Sequence, residues 1–218
     1  MTPAAEGDHP DQWATRSAAK GLSLRESARR MGAYRWVESR LFDVLGAWAI
    51  SVPELEVKPI LAAHAREHAW HAELWRDQLP TAGGMTPATL TSSPNEGIDA
   101  FFAALVAPHG PERTIERLVG AYRVLVPRMI AAYSAHLGVA SGVSDGPVIR
   151  VLRLVLRDEV EAWSAGEAVI QALLGSETQV RTAAVHQGRL EWMIADAGGV
   201  AGLETTGSGF AGRQNGQP

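Results

Sequence analysis

Three of the seven histidines fall in one short segment, HAREHAWHAELW over residues 64–75. At about 100° per residue, His64, His68 and His71 share an arc of about 60° on a helix. The apolar residues on either side occupy the same arc, whereas Arg66 lies on the opposite side. Burying three imidazoles is costly unless they are paired or coordinated. The spacing predicts a histidine cluster inside the protein, suited to metal binding or proton transfer, with hydrogen-bonded core histidines as the alternative.

One carboxylate, Glu38, stands in the middle of the apolar stripe of the preceding helix. A buried glutamate needs a cation, a metal or a hydrogen-bonding network. If the two helices form a hairpin that turns near 51–53, Glu38 lies about 14 residues before the turn, and His64 and His68 lie about 11 and 15 after it. A rise of about 1.5 Å per residue then brings them level. A glutamate facing histidines is a ligand set for iron, manganese or zinc.

The elements that must position these residues are helices. Long segments rich in Ala, Leu, Arg and Glu carry apolar residues at three- and four-residue steps, which predicts an all-α fold. Helices are expected at about 25–50, 53–79, 112–138, 146–174 and 176–197. Short turns make two antiparallel hairpins of the first four, and residues 80–111, with an apolar stretch at 98–106, form a long crossover. Pro127 predicts a kink in the third helix, and Pro59 marks a kink or the first turn of the second.

The C-terminal end of the chain is rich in glycine. Seven of the 22 glycines lie in 198–216, a stretch without an apolar period. Such a composition is typical of a flexible tail. We therefore expect a flexible segment at 1–24, a helical bundle over 25–197 and a flexible tail at 198–218.

The pattern over about 25–175 resembles the ferritin-like superfamily. Bundles of that family hold two metals with a glutamate from the first and third helices and a Glu-x-x-His pair from the second and fourth. Glu38 matches the first-helix glutamate, and His68-Ala-Trp-His71 stands at the Glu-x-x-His position with histidine replacing the glutamate. The resemblance implies a four-helix bundle of two hairpins joined by a long crossover, plus a short fifth helix.

The second half of the chain departs from the family pattern. A shift of 91 residues places Met129 opposite Glu38 and Ala162 opposite His71. Neither Met129 nor Ala162 can serve as a carboxylate or imidazole ligand. A symmetrical four-carboxylate site for two metals is therefore not expected, and the remaining donors suit one ion or an asymmetric pair.

The middle of the fourth helix offers several carboxylates. The same shift of 91 residues aligns His68 with Glu159, whereas a shift of 93 aligns HAWHA with EAWSA and favours Glu161. By helical angle, Asp158 and Glu159 lie within the apolar arc and Glu161 at its edge. Glu159 is preferred, followed by Asp158. The alternative is that all three pair with arginines of the same helix.

Composition narrows the class of protein further. The chain has no cysteine and a net charge of -4, which excludes a cysteine nucleophile, a disulfide framework and an iron–sulfur cluster. There is no basic stripe for nucleic acid, no apolar run of membrane-spanning length and no signal-peptide pattern. We expect a cytoplasmic protein with a small-molecule substrate. Trp70 and Trp163, which lie off the core stripes, are candidates for a contact in a homodimer or other homo-oligomer.

The function that these residues predict is that of a metal-dependent oxidoreductase or oxygenase. It would hold one or two ions of iron or manganese and use His68 and His71 in catalysis. The predicted ligands are Glu38, His64, His68, His71, Glu159 and Asp158. The core tyrosines are interpreted as packing residues whose hydroxyls find partners. The alternatives are a metal-free enzyme that uses the histidines for acid–base chemistry and a non-catalytic bundle that acts in protein assembly.

Overall fold

The computed structural model describes residues 21–202, and within that range the secondary structure is entirely helical. The all-α prediction is confirmed for this part of the chain. The predicted flexible segments at 1–24 and 198–218 lie mostly outside the described residues. At the inner edge of the second one, the chain continues past the last helix in turns that bury Val200.

The first two long helices form the hairpin that carries most of the candidate residues. Helix α1 spans Leu24–Ser51 and helix α2 spans Val57–Gln78. Ser23 starts α1 through a capping box with Glu26, in which each side chain bonds the backbone N–H of the other. Helix α2 begins four residues later than predicted, and Pro59 lies in its first turn, where no N–H is required.

The third long stretch is continuous but changes its helical type. It consists of α5 at Thr114–Leu118, a π-helical segment at Val119–Leu125 and α6 at Val126–Val139. The Val126 N–H donates to the carbonyl of Ala121, five residues earlier. Pro127 has no N–H to complete an α-helical bond, so the predicted disturbance takes the form of a π-helical segment just before the proline.

The remaining helices complete the body of the protein. Helix α7 covers Gly146–Leu173 and α8 covers Glu177–Asp196. The crossover contains α3 at Pro87–Leu90, α4 at Glu96–Val106 and a 3₁₀ turn at Pro111–Arg113. Helix α4 buries its apolar face against α8. The side chain of Asn95 joins the two by donating to the carbonyl of Ala197 at 2.9 Å.

The long helices share one core. Helix α1 packs on α2, α2 packs on α7, and α7 packs on α6 and the π-helical segment. At one level of the core the ring of Tyr34 contacts Trp75 and Tyr133, with centroids 5.2 and 4.7 Å apart. Trp70 and Trp163, the predicted oligomer contacts, are partly exposed on α2 and α7. No helix in the described range is both long and apolar enough to cross a membrane.

Candidate metal centre

Four side chains from three helices meet in the middle of the core. Glu38 comes from α1, His68 and His71 from α2, and Glu159 from α7. Each is at most 1 % exposed. One donor atom from each residue lies within 4.8 Å of those of the other three. We call these four residues the buried cluster.

Glu38 is held from two sides. His68 Nδ1 donates to Glu38 Oε2 at 2.7 Å, and the Tyr133 hydroxyl donates to Glu38 Oε1 at 2.5 Å. The sequence placed Tyr133 in the core without identifying its partner. The available signal was its position one turn beyond Met129, the residue aligned with Glu38.

Glu159 and His71 leave polar atoms unsatisfied. Neither oxygen of Glu159 has a hydrogen-bond partner among the described residues, and the same holds for His71 Nδ1. These atoms nevertheless converge, since Glu159 Oε1 lies 3.3 Å from His71 Nδ1 and 3.4 Å from His68 Nδ1. Glu38 Oε1 is 3.6 Å from His71 Nδ1. Unsatisfied buried polar atoms are rare in native proteins, and an ion bound among them is one way in which such atoms are satisfied.

Two predicted ligands, Asp158 and His64, lie outside the cluster. Asp158 Oδ2 is 3.3 Å from His71 Nε2, on the edge of the imidazole that faces away from the cluster. Asp158, predicted as a ligand, is not among the four converging residues, because one residue along α7 rotates a side chain by about 100° relative to Glu159. Asp158 instead contacts the outer nitrogen of a cluster histidine.

His64 is separated from the cluster by about one helical turn. The His64 imidazole pairs with the Tyr122 hydroxyl, with 2.8 Å between Nδ1 and the oxygen. His64 and His68 share a helical face, but a separation of four residues puts about 6 Å of axial rise between them. Burial, together with the charge of His68, lowers the pKa of His64 to about 4, so this imidazole is neutral at pH 7.

Gly166 provides the space in which Tyr122 approaches α7. A Cβ atom at Gly166 would overlap the Tyr122 ring. We expect Gly166→Ala to displace the ring, break its bond to His64 and lower the free energy of unfolding by about 1–3 kcal/mol. Gly46→Ala is the control, because nothing lies within 4 Å of a Cβ there, and it should stabilise α1 by about 0.5–1 kcal/mol. Urea unfolding measures both, and equal effects at the two glycines would contradict the prediction.

The exposure of the two glutamates shows which of them faces the core from α7. Glu161 points to solvent, whereas Glu159 is fully buried. The burial of Glu159 and the exposure of Glu161 agree with the shift of 91 residues, which aligns His68 with Glu159. Met129 and Ala162, which that alignment places opposite Glu38 and His71, are buried without providing donors.

The cluster is strongly polarised even without an ion. Burial opposes ionisation of Glu38, but the positive charges of His71 and His68 and the hydrogen bond from His68 outweigh it and lower the Glu38 pKa to about 2. Burial likewise disfavours protonated histidine, yet Glu159 and Glu38 raise the pKa of His68 to about 9. The same two carboxylates raise the pKa of His71 to about 11. At pH 7 the ionised carboxylate of Glu38 therefore faces the imidazolium groups of His68 and His71.

A wide surface cleft lies elsewhere in the described part of the chain. It measures about 600 Å³ and is formed by α8 and the segment from Ala104 to Glu116. None of its lining residues belongs to the buried cluster. This cleft therefore offers none of the donor atoms that converge in the core.

Comparison with known proteins does not identify a family for this chain. No protein-family model, no curated protein and no solved structure matches the chain.

Proposed function

We propose that this protein is a ferritin-like helical metalloprotein that binds one iron or manganese ion and acts as an oxidoreductase or oxygenase on a small substrate. The ligands are the four residues of the buried cluster, Glu38, His68, His71 and Glu159. The observation that carries the proposal is the convergence of their donor atoms, several of them unsatisfied, in the core.

The spacing of the donors suits a transition metal. Ligands bound at about 2.1 Å are separated by about 3.0–3.4 Å in octahedral and tetrahedral arrangements. The distances between Glu159 Oε1 and the Nδ1 atoms of His68 and His71 are 3.4 and 3.3 Å. Two imidazoles and two carboxylates also match the intermediate hardness of ferrous iron and manganese.

The charge of the cluster suits a divalent cation as well. Without metal, His68 and His71 each carry a proton, and these two positive charges lie beside the ionised Glu38. Imidazole must be unprotonated to bind a metal. One divalent ion therefore replaces two protons, and the net charge of the buried site does not change.

Neighbouring residues hold the donors in place. Tyr133 fixes one oxygen of Glu38. Asp158 accepts from His71 Nε2 at 3.3 Å, which keeps the proton on the outer nitrogen and leaves Nδ1 free toward the cluster. A bound redox metal would supply Lewis-acid and electron-transfer chemistry. Because each residue of the cluster is at most 1 % exposed, an organic substrate could reach it only through movement of the helices.

Metal analysis of the purified protein is the direct test. Protein prepared without chelator should contain close to one equivalent of iron or manganese, and His71→Ala should contain none. His64→Ala is the matched control, because His64 lies on the same face of α2 but outside the cluster, and it should keep the metal. A metal-free wild-type protein that also gains no thermal stability from Fe(II) or Mn(II) would refute the proposal.

The redox part of the proposal has a separate test. Protein loaded anaerobically with Fe(II) should consume dioxygen when exposed to air, and His71→Ala treated in the same way should consume it only at the rate of Fe(II) in buffer. If the loaded protein keeps its Fe(II) unchanged in air, the protein binds metal but is not an oxidoreductase, and this part of the proposal is refuted.

A metal-free role is the second candidate, and one contact favours it. The 2.7 Å bond between His68 and Glu38 is already complete without an ion. Such a pair can exchange a proton with a substrate if one reaches it. The two candidates separate under chelation, because a metal-free enzyme keeps its activity in EDTA.

A further inference from the structure

A surface pocket opens beside the buried cluster, between α2 and α7. Its volume is about 340 Å³, near the lower end of the range of about 300–1,000 Å³ for small-molecule sites. The lining residues are Arg66, Glu67, Trp70, Arg157 and Asp158. Asp158 belongs both to this pocket and to the surroundings of His71, 3.3 Å from its Nε2 atom. The pocket is therefore one side chain away from the cluster.

The lining provides the groups that recognise a planar anion. Arg66 forms no ion pair with any described residue, and Arg157 pairs only with its neighbour Asp158, at 3.3 Å and with a side chain that is 65 % exposed. Trp70 is 47 % exposed, and its ring lies 5.8 Å from that of His71. Guanidinium groups bind carboxylates through two parallel hydrogen bonds, and an indole ring stacks on planar groups.

We infer that this pocket binds a small aromatic carboxylate. The two arginines would hold the carboxylate, and Trp70 would contact the ring. Glu67 and Asp158 also line the pocket, so its formal charge is balanced. A monoanion is favoured over a phosphate dianion for that reason.

Asp158 links the pocket to the metal centre, a step that rests on the proposed function. Arg157 Nε and Nη2 both lie 3.3 Å from Asp158 Oδ1, while Asp158 Oδ2 faces His71. When the carboxylate of a bound ligand pairs with the guanidinium of Arg157, Asp158 loses that partner. Asp158 then interacts with His71 alone. Occupancy of the pocket then changes the affinity of the cluster for metal, and metal changes the affinity of the pocket by the same factor.

Titration of the metal-free full-length protein with benzoate tests the pocket. We expect saturable binding by calorimetry, with at least tenfold weaker binding of the neutral analogue benzamide. Arg157→Gln and Arg66→Gln should each weaken benzoate binding at least tenfold. Arg153→Gln is the matched control, because Arg153 is exposed one turn away on α7 and does not line the pocket. Absence of saturation, equal binding of benzamide, or equal losses in Arg153→Gln and Arg157→Gln would overturn the inference.

The link through Asp158 has its own readout. Saturating Mn(II) should change the benzoate dissociation constant at least threefold, and Asp158→Asn should bind benzoate but lose that change. If Mn(II) binds and the benzoate affinity stays constant, the coupling is refuted while the pocket stands. If no metal binds, the proposed function fails and the coupling with it, whereas the titration of the metal-free protein still decides the pocket.

Discussion

Replacing Glu38 by alanine is expected to abolish metal binding and to lower the free energy of unfolding of the metal-free protein by about 3–5 kcal/mol. Glu38 accepts hydrogen bonds from His68 and Tyr133, both nearly inaccessible to solvent. Truncation leaves an imidazolium and a hydroxyl without their acceptor in the core. Urea unfolding in EDTA measures the loss of stability, and equilibrium dialysis against Mn(II) measures the loss of metal.

A control from the same helix separates this effect from a general loss of a carboxylate. Asp43 is exposed on α1 and pairs only loosely with Arg40, at 3.7 Å. Asp43→Ala should keep metal binding and stay within about 0.5 kcal/mol of the wild type. If Glu38→Ala unfolds at the same urea concentration as Asp43→Ala, the buried cluster does not stabilise the fold.

The stability of the metal-free protein is expected to fall as the pH rises from 7 to 9. The folded-state pKa values of His68 and His71, about 9 and about 11, are raised above the unfolded value of about 6.5. Their contribution is therefore fully present below about pH 6.5 and is lost as the pH rises through the folded values. The decrease should be on the order of 2 kcal/mol per pH unit, because two groups lose protons on unfolding.

Bound metal should reverse this dependence on pH. The ion keeps both imidazoles unprotonated, so the alkaline loss disappears and metal affinity instead weakens as the pH falls. Anaerobic urea unfolding at pH 7, 8 and 9, with EDTA and with saturating Mn(II), compares the two slopes. His64 and His136 do not interfere, since burial lowers their pKa values to about 4 and they act below about pH 6.5. Equal slopes with and without metal would contradict the assignment of His68 and His71 as ligands.

Helical periodicity and the count of residues on either side of the turn predicted that Glu38 and His68 lie at the same level of the hairpin. The level at which Glu38 meets His68 follows from counting residues on either side of a short turn, and the structure joins the two by a hydrogen bond. The buried carboxylate of α7 also followed from helical angle, since Glu159 and not Glu161 faces inward. Rise and rotation along a helix are fixed by the backbone, so such predictions need no tertiary information.

The contacts that the sequence did not predict depend on distances between helices. His64 shares the face of His68, but which residues it meets depends on how far Tyr122 reaches from another helix. Tyr122 in turn lies where Gly166 leaves room and in a π-helical segment. Pro127 predicted a kink in that helix. The choice between a bend and a π-helical segment, however, depends on the packing of neighbouring helices.

If the cluster binds a metal ion, as proposed, its complete burial also determines how fast the ion enters and leaves. An ion held by side chains at most 1 % exposed has no open path to solvent. Exchange must wait until α1, α2 or α7 separates locally, and the rate of such opening is a property of the fold and not of the ligands. Loading and release should therefore be slow, and they should accelerate in low concentrations of urea that leave the equilibrium affinity almost unchanged. Once bound, the ion would be retained for a time set by the rate at which these helices separate locally.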